Sequence, residues 1–167
     1  MIDTKPYFSK WDDRFMRLTN EIATWSSCLR RNVGAIIVKE GRIIATGYNG
    51  APHQIMSCTE LGACMRRNIK SGLKQELCRA VHAEQNAVSQ AARLGISIEG
   101  ATLYCTHKPC VTCTKMLINA GLKKIVYEND YPDELADDML QTCSLRVERY
   151  TKEDQNQMKV RIDDANV

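Results

Sequence analysis

The amino-acid sequence predicts an α/β domain, with a mixed sheet of about five strands and helices on both faces. Three observations predict it. A β-branched hairpin pattern occupies residues 33–50. After Arg79, strand-like and helix-like segments alternate, the pattern of layered βα units. The chain has 167 residues, a normal size for one domain with a buried core.

The first element is a helix over about residues 9–28. Trp11, Phe15, Leu18, Ile22 and Trp25 recur at steps of three and four, which predicts one core-facing stripe that includes both tryptophans. Next, the runs Val33–Val38 and Ile43–Thr46 flank Glu40-Gly41 and read as a β-hairpin. Residues 51–79 are polar, rich in Cys and without a clear period. They read as an insertion between core elements, which needs either a function or a local staple. Val81–Leu94 is helical and Ala-rich, stopped by Gly95. Thr102–Thr106 is a short strand, and Val111–Ala120 a helix that Gly121 ends. Lys124–Tyr127, Asp133–Cys143 and Leu145–Tyr150 complete the pattern as strand, helix and strand. The expected organisation is one domain over 1–150 and a polar C-terminal tail over 151–167.

Composition narrows the function classes. Apolar residues make up 44% and charged residues 26%, ordinary globular values that argue against a disordered chain. A net charge of +3 is too small to imply a nucleic-acid surface, yet it suits a small anionic ligand. No run of about 18 apolar residues predicts a membrane helix. The opening MIDTKPYFSKWDD lacks the apolar core and cleavage site of a secretory signal, so a cytoplasmic protein is expected. In that compartment eight cysteines point to metal binding or catalysis rather than disulfides.

Two fragments carry chemistry. Pro109-Cys110-Val111-Thr112-Cys113 places two thiols at the start of a helix, where the dipole favours thiolates and Pro costs no hydrogen bond. Two thiolates leave a zinc site incomplete. Val81-His82-Ala83-Glu84 supplies His82 as a third ligand. Three protein ligands leave one tetrahedral position for water, as a catalytic zinc requires. Glu84, in the first helical turn beside His82, can take a proton from such a water and deliver it to a substrate nitrogen. Taken singly, the Cys pair could be redox-active or half of a structural site, and the Glu could serve only the helix dipole. Jointly, His-x-Glu followed by Pro-Cys-x-x-Cys is the signature of zinc deaminases that act on cytosine or adenine.

The sequence resembles the cytidine deaminase superfamily, and within it the deoxycytidylate (dCMP) deaminases. The stretches VGAIIVKEGRIIATGYNGAP, CRAVHAEQNAV, TLYCTHKPCVTC and NAGLKKIVY carry the resemblance, over roughly residues 9–150. It implies a three-layer α/β/α sandwich and zinc-dependent hydrolysis of dCMP to dUMP and ammonia, which supplies dUMP for thymidylate synthesis. It also implies a homohexamer activated by dCTP with Mg2+ and inhibited by dTTP. By the same resemblance Asn49 contacts the sugar, and Arg93, Tyr48 and Gly50 belong to effector coupling. Asn49 also stands in a good turn sequence, and both roles are compatible. A 5′-phosphate needs cationic or N–H partners, for which Arg30 is the first candidate, followed by Arg31, Lys108 and Tyr131.

Six cysteines remain. Cys105, inside a strand, and Cys143, at a helix end, read as small buried apolar residues. Cys28, Cys58, Cys64 and Cys78 read as the ligands of a structural zinc that staples the insertion. Four unligated thiols, or a set with His53 in place of one thiolate, are the alternatives. Other enzymes of the superfamily, acting on tRNA adenosine, free nucleosides or guanine, share the catalytic motif. A non-catalytic zinc module would have no use for Glu84.

Overall fold

A computed structural model describes residues 8–151 together with 153, 154 and 156, so most of the expected tail over 151–167 lies outside the described residues. The chain runs α1 (Lys10–Ala23), β1 (Gly34–Lys39), β2 (Arg42–Tyr48), α2 (Cys58–Leu61), α3 (Ala83–Arg93), β3 (Thr102–His107), α4 (Val111–Asn119), β4 (Lys124–Asn129), α5 (Glu134–Thr142) and β5 (Arg146–Arg149). The insertion between β2 and α3 holds only the single turn α2 and a 3₁₀ turn at Gln75–Leu77.

The five strands form one mixed sheet in the order β2-β1-β3-β4-β5. β1 is antiparallel to β2 and β3, whereas β3, β4 and β5 are mutually parallel neighbours. At the hairpin Lys39 pairs with Arg42, and both Glu40 and Gly41 have positive φ, at 51° and 72°. Two positive-φ residues make the tight turn whose twist matches the flanking strands.

Alternation along the strands divides the core into two. Ile36, Val38, Tyr104 and Val126 face α1, where they meet Phe8, Phe15, Met16, Ile22 and Tyr150. Ala35, Ile37, Leu103, Cys105 and Ile125 face the other way, against Ala83, Ala87 and Ala91 of α3, Leu117 of α4 and Leu140 of α5. The sheet is therefore covered on both faces, which explains why its central strands are apolar without a break. This is the expected α/β/α sandwich. Among the described residues no helix is long and apolar enough to cross a membrane.

The core stripe expected on α1 is corrected by the structure. Phe15 and Ile22 are buried, but Trp11 and Trp25 are each 57% exposed, and Leu18 is 37% exposed. The buried face is instead Asp12, Asp13, Phe15, Met16, Thr19, Ile22 and Ala23. Polar partners under the helix rotate it. The Tyr104 hydroxyl donates to Asp12 at 2.7 Å, and the Tyr150 hydroxyl donates to Asp13 at 2.9 Å. Lys124 adds an ion pair to Glu148 at 2.7 Å and lies 3.8 Å from Asp12. Burial works against an ionised Asp12, yet hydrogen bonds from Ser9 and Tyr104 hold its carboxyl below the usual range.

Two glycines set how closely the helices approach the hairpin. A Cβ at Gly34 would lie 2.3 Å from the Thr19 carbonyl oxygen and 2.6 Å from the Ala23 nitrogen, both backbone atoms of α1. A Cβ at Gly47 would lie 2.2 Å from the Ala83 carbonyl oxygen and 2.5 Å from the Ala87 nitrogen of α3. Backbone cannot step aside as a side chain can. Gly34→Ala should therefore destabilise the domain by about 1–3 kcal/mol, the usual cost of overpacking a core. A urea midpoint equal to that of the wild type would refute the close approach.

Candidate metal and catalytic site

The site is built from two helix starts. His82 is the residue before α3, with extended backbone at φ −71° and ψ 157°. Cys110 takes the same place before α4, at φ −72° and ψ 169°. An extended residue there aims its side chain past the helix end, where the first-turn N–H groups and the dipole favour anions. Cys113 follows in the first turn of α4, fully buried. His82 Nδ1 lies 3.5 Å from Cys110 Sγ and 3.4 Å from Cys113 Sγ. The three donor atoms lie within 4.8 Å of one another. One imidazole nitrogen and two sulfurs at that spacing fit a single tetrahedral zinc with one position left over.

Neighbouring contacts hold the helix starts in place. Gln85 Oε1 accepts from the His82 main-chain N–H at 2.9 Å. Val81 and Gly50 exchange main-chain hydrogen bonds at 2.9 and 3.2 Å, tying the loop after β2 to the residue before His82. Asp133, at the start of α5, accepts from the Val111 N–H at 2.8 Å and from the Ala136 N–H at 3.1 Å.

The electrostatics suit a metal ligand and a proton carrier. A hydrogen bond from Cys113 outweighs burial and, with His82, lowers the Cys110 thiol from its usual range, which favours a thiolate within the pair. Glu84 is only 4% exposed, and burial pushes its carboxyl up while the nearby His82 ring opposes the rise. A carboxyl moved toward neutrality can both accept and return a proton.

His82, Glu84 and Cys110 open onto a cavity of about 160 Å3. The substrate-contact candidates Asn49, Arg30 and Tyr131 line it, as do Arg31 and Lys108. Asn49 Oδ1 accepts from the Ser26 hydroxyl at 2.7 Å and the Val33 N–H at 2.8 Å, and its Nδ2 donates to the Arg31 carbonyl at 2.8 Å. Three of its four hydrogen bonds are thus spent on the loop, and one amide N–H is left over. Arg30 donates to the carbonyls of Arg66 and Ile69 at 2.7 and 2.8 Å, so it also anchors the insertion. Arg31 sits over the Tyr131 ring at 5.4 Å and donates to Ser71 at 3.3 Å. Lys108 pairs with Asp137 at 2.6 Å.

The effector candidates lie elsewhere. Arg93 is exposed at the end of α3, Tyr48 is partly exposed with its ring 6.1 Å from that of Trp25, and Gly50 is in the Val81 pairing. None of the three lines the cavity.

All eight cysteines are free thiols. Cys28, Cys58, Cys64 and Cys78 all line the cavity, on the insertion side. Burial raises the Cys58 thiol, and the charges of Cys64, Cys28 and Cys78 add to the rise, so the four share one neighbourhood. Among the described residues, however, no three of their sulfurs lie within the 4.8 Å spread that the His82 group achieves. Cys105 is buried as expected. Cys143 is only half-buried, because it closes α5 at its exposed end, with Sγ 3.6 Å from the Leu140 carbonyl.

Sequence reasoning missed two cavity residues. Arg66 is buried in the insertion, with Nη2 donating to the Leu73 carbonyl at 2.8 Å. No period or motif marks it. His107 was legible in principle, since it belongs to the same run as Cys110, and it ends β3 at the cavity.

Comparison with known proteins accords with this geometry. The family model of the cytidine and deoxycytidylate deaminase zinc-binding region matches residues 9–129. A deoxycytidylate deaminase of Saccharomyces cerevisiae is 37% identical over 142 residues, covering 84% of this chain and 45% of its own length. One from Mycobacterium phage D29 is 36% identical over 129 residues, covering 72% of this chain and 95% of its own. The chain spans about half the length of the yeast relatives it matches. The crystal structure of a dCMP deaminase from cyanophage S-TIM5, in complex with dCMP and dUMP, is similar with a TM-score of 0.71. It is 33% identical and covers 87% of this chain and 100% of that one.

Burial, with Arg31 nearby, pushes the His107 imidazole down to about 4 from its ordinary 6.5. Between those values the unfolded chain binds a proton that the folded chain does not. Stability should therefore fall as pH drops from about 6.5 toward 4. Urea titrations across that window should show a shallower fall for His107→Gln than for the wild type. Parallel curves would remove His107 from the acid response.

Proposed function

The chain belongs to the cytidine and deoxycytidylate deaminase zinc-binding family, and on that premise we propose that it hydrolyses dCMP to dUMP and ammonia. The observation that carries the reading is one cavity lined by two unlike sets of groups: a His-Cys-Cys group beside a buried carboxyl, and the guanidinium groups of Arg30 and Arg31. That combination suits a mononucleotide, with the base at the thiolates and the phosphate at the guanidinium groups.

In this reading His82, Cys110 and Cys113 hold a zinc ion. When bound, zinc supplies a Lewis acid that makes water nucleophilic at neutral pH. Glu84 takes one proton from the attacking water and delivers it to the ring nitrogen beside the amine, then takes the second proton from the hydroxyl so added to the ring carbon and passes it to the departing amine. The carbon–nitrogen bond breaks as ammonia leaves, and the carbonyl of dUMP remains. Asn49 offers its spare N–H to the sugar. Arg30, Arg31 and Tyr131 receive the phosphate, and the walls of the cavity exclude bulk water from the ring.

The reading extends to regulation and assembly by family likeness. It includes activation by dCTP with Mg2+, inhibition by dTTP, coupling through Arg93, Tyr48 and Gly50, a hexamer, and a cytoplasmic role in supplying dUMP. It also includes the domain limits 1–150 and a structural zinc on Cys28, Cys58, Cys64 and Cys78. What supports that second zinc is that all four thiols line the same cavity and share one neighbourhood. A tRNA substrate is disfavoured by a net charge of only +3.

Loss of cytosine absorbance should report rapid turnover of dCMP, faster with dCTP and Mg2+, and little turnover of deoxycytidine or CMP. Activity on deoxycytidine or tRNA with silence on dCMP would overturn the substrate. Glu84→Gln should keep the catalytic zinc and lose about 10²–10⁴-fold in kcat, the usual worth of a general acid–base group. Near-native turnover would end the proton-carrier role. Protein purified without chelator should carry two zinc ions per chain, and Cys58→Ser about one. A wild-type value of one would remove the second site.

A further inference from the structure

His107 ends β3 at the cavity, which it lines close enough to Arg31 to feel its charge. Its Nδ1 is 3.1 Å from the Thr106 hydroxyl oxygen. That hydroxyl is buried, at 2% exposure, and accepts from the Gly34 N–H at 3.2 Å. Among the described residues its partners are those two groups, and the Gly34 N–H gives a proton rather than taking one. A buried hydroxyl with no acceptor for its own proton costs free energy. The Thr106 O–H therefore donates to His107 Nδ1, which must be unprotonated to accept. In a neutral imidazole the remaining proton then sits on Nε2.

We infer that His107 donates from Nε2–H to an anionic phosphate oxygen of the bound nucleotide, beside Arg31, with Thr106 and the Gly34 N–H fixing its tautomer. The inference rests on the nucleotide reading above and adds a positioning residue to it. Arg30 faces the cavity while it holds two insertion carbonyls, and Lys108 pairs with Asp137, so part of their donor capacity is already committed. A neutral donor held in one orientation adds a directed hydrogen bond to the charge that the guanidinium groups supply. Burial and Arg31 keep the ring neutral in the free protein, in agreement with the hydrogen-bond argument.

Two measurements test this on the zinc-loaded chain. Long-range 1H–15N correlations distinguish the imidazole tautomers, and only His53, His82 and His107 contribute, so His107→Gln assigns the signal. The Nε2–H form is expected for His107, and the Nδ1–H form would overturn the inference. Kinetically, His107→Leu should raise KM for dCMP about tenfold, the worth of one hydrogen bond to a charged group. It should cost deoxycytidine, which lacks the phosphate, far less. His107→Gln, whose amide N–H reaches the Nε2 position, should recover most of the loss. Equal losses on both substrates, or no rescue by Gln, would place the role elsewhere. If the wild type turns over no nucleotide, the dCMP reading has failed, and inorganic phosphate titrated into the same sample decides this point alone. Movement of the His107 Nε2 resonance then supports the inference, and a static resonance overturns it.

Discussion

His82 and Cys110 must meet. Each stands on the extended residue before a helix, and the molecule is arranged to keep those two helix starts within reach of one ion. The helices come from different parts of the chain, so no local rule brings them together. The sheet does. Gly47 lets the start of α3 lie against β2, and the Gly50–Val81 pairing sets the approach to His82. Asp133 plays the matching part for α4 by capping its first N–H from the start of α5. Two helix N-termini then face the same point, and their dipoles favour the thiolate that a metal requires. Glu84 follows from this arrangement, because a residue in the first turn of α3 is carried into the same buried end.

The part of the cavity wall that the insertion supplies obeys different physics. The insertion between β2 and α3 has almost no regular structure and little apolar core. Guanidinium groups cross-link it instead: Arg30 to the carbonyls of Arg66 and Ile69, and Arg66 to that of Leu73. These contacts satisfy backbone groups that no ladder satisfies. They also place several positive charges beside the cavity, so holding the loop and attracting an anion are served by the same side chains. A segment held this way sits at the low end of local stability. A structural metal on its four thiols would stiffen the wall without adding apolar surface.

The far side of the sheet shows the same use of polar groups for a different end. Asp12 and Asp13 lie on the buried face of α1 and accept from tyrosines on β3 and at the end of β5. These bonds span the length of the domain in sequence. They fix the rotation of α1 about its axis, which apolar burial alone leaves free. Gly34 then lets the helix backbone close onto β1.

Much of this was legible in the residues, for physical reasons. Periods of two and of three to four marked the strands and helices, because covering a sheet imposes them. Glu40-Gly41 marked its turn, because few residue pairs accept two positive φ angles. That His82, Cys110 and Cys113 come together in one group was legible because metal chemistry tolerates few residue types and both fragments sit at helix starts. The face of α1 was not. The Trp11–Leu18–Trp25 stripe is equally good by period, and only the tyrosines waiting across the sheet decide which stripe is buried. Nor could spacing reveal that Arg30 anchors the insertion, that Arg66 is buried in it, or how closely the four outlying thiols approach. Local pattern determined which elements form and which residues can do chemistry. Tertiary packing alone decided which surfaces face inward and which charges share a cavity, because those depend on partners far away in the chain.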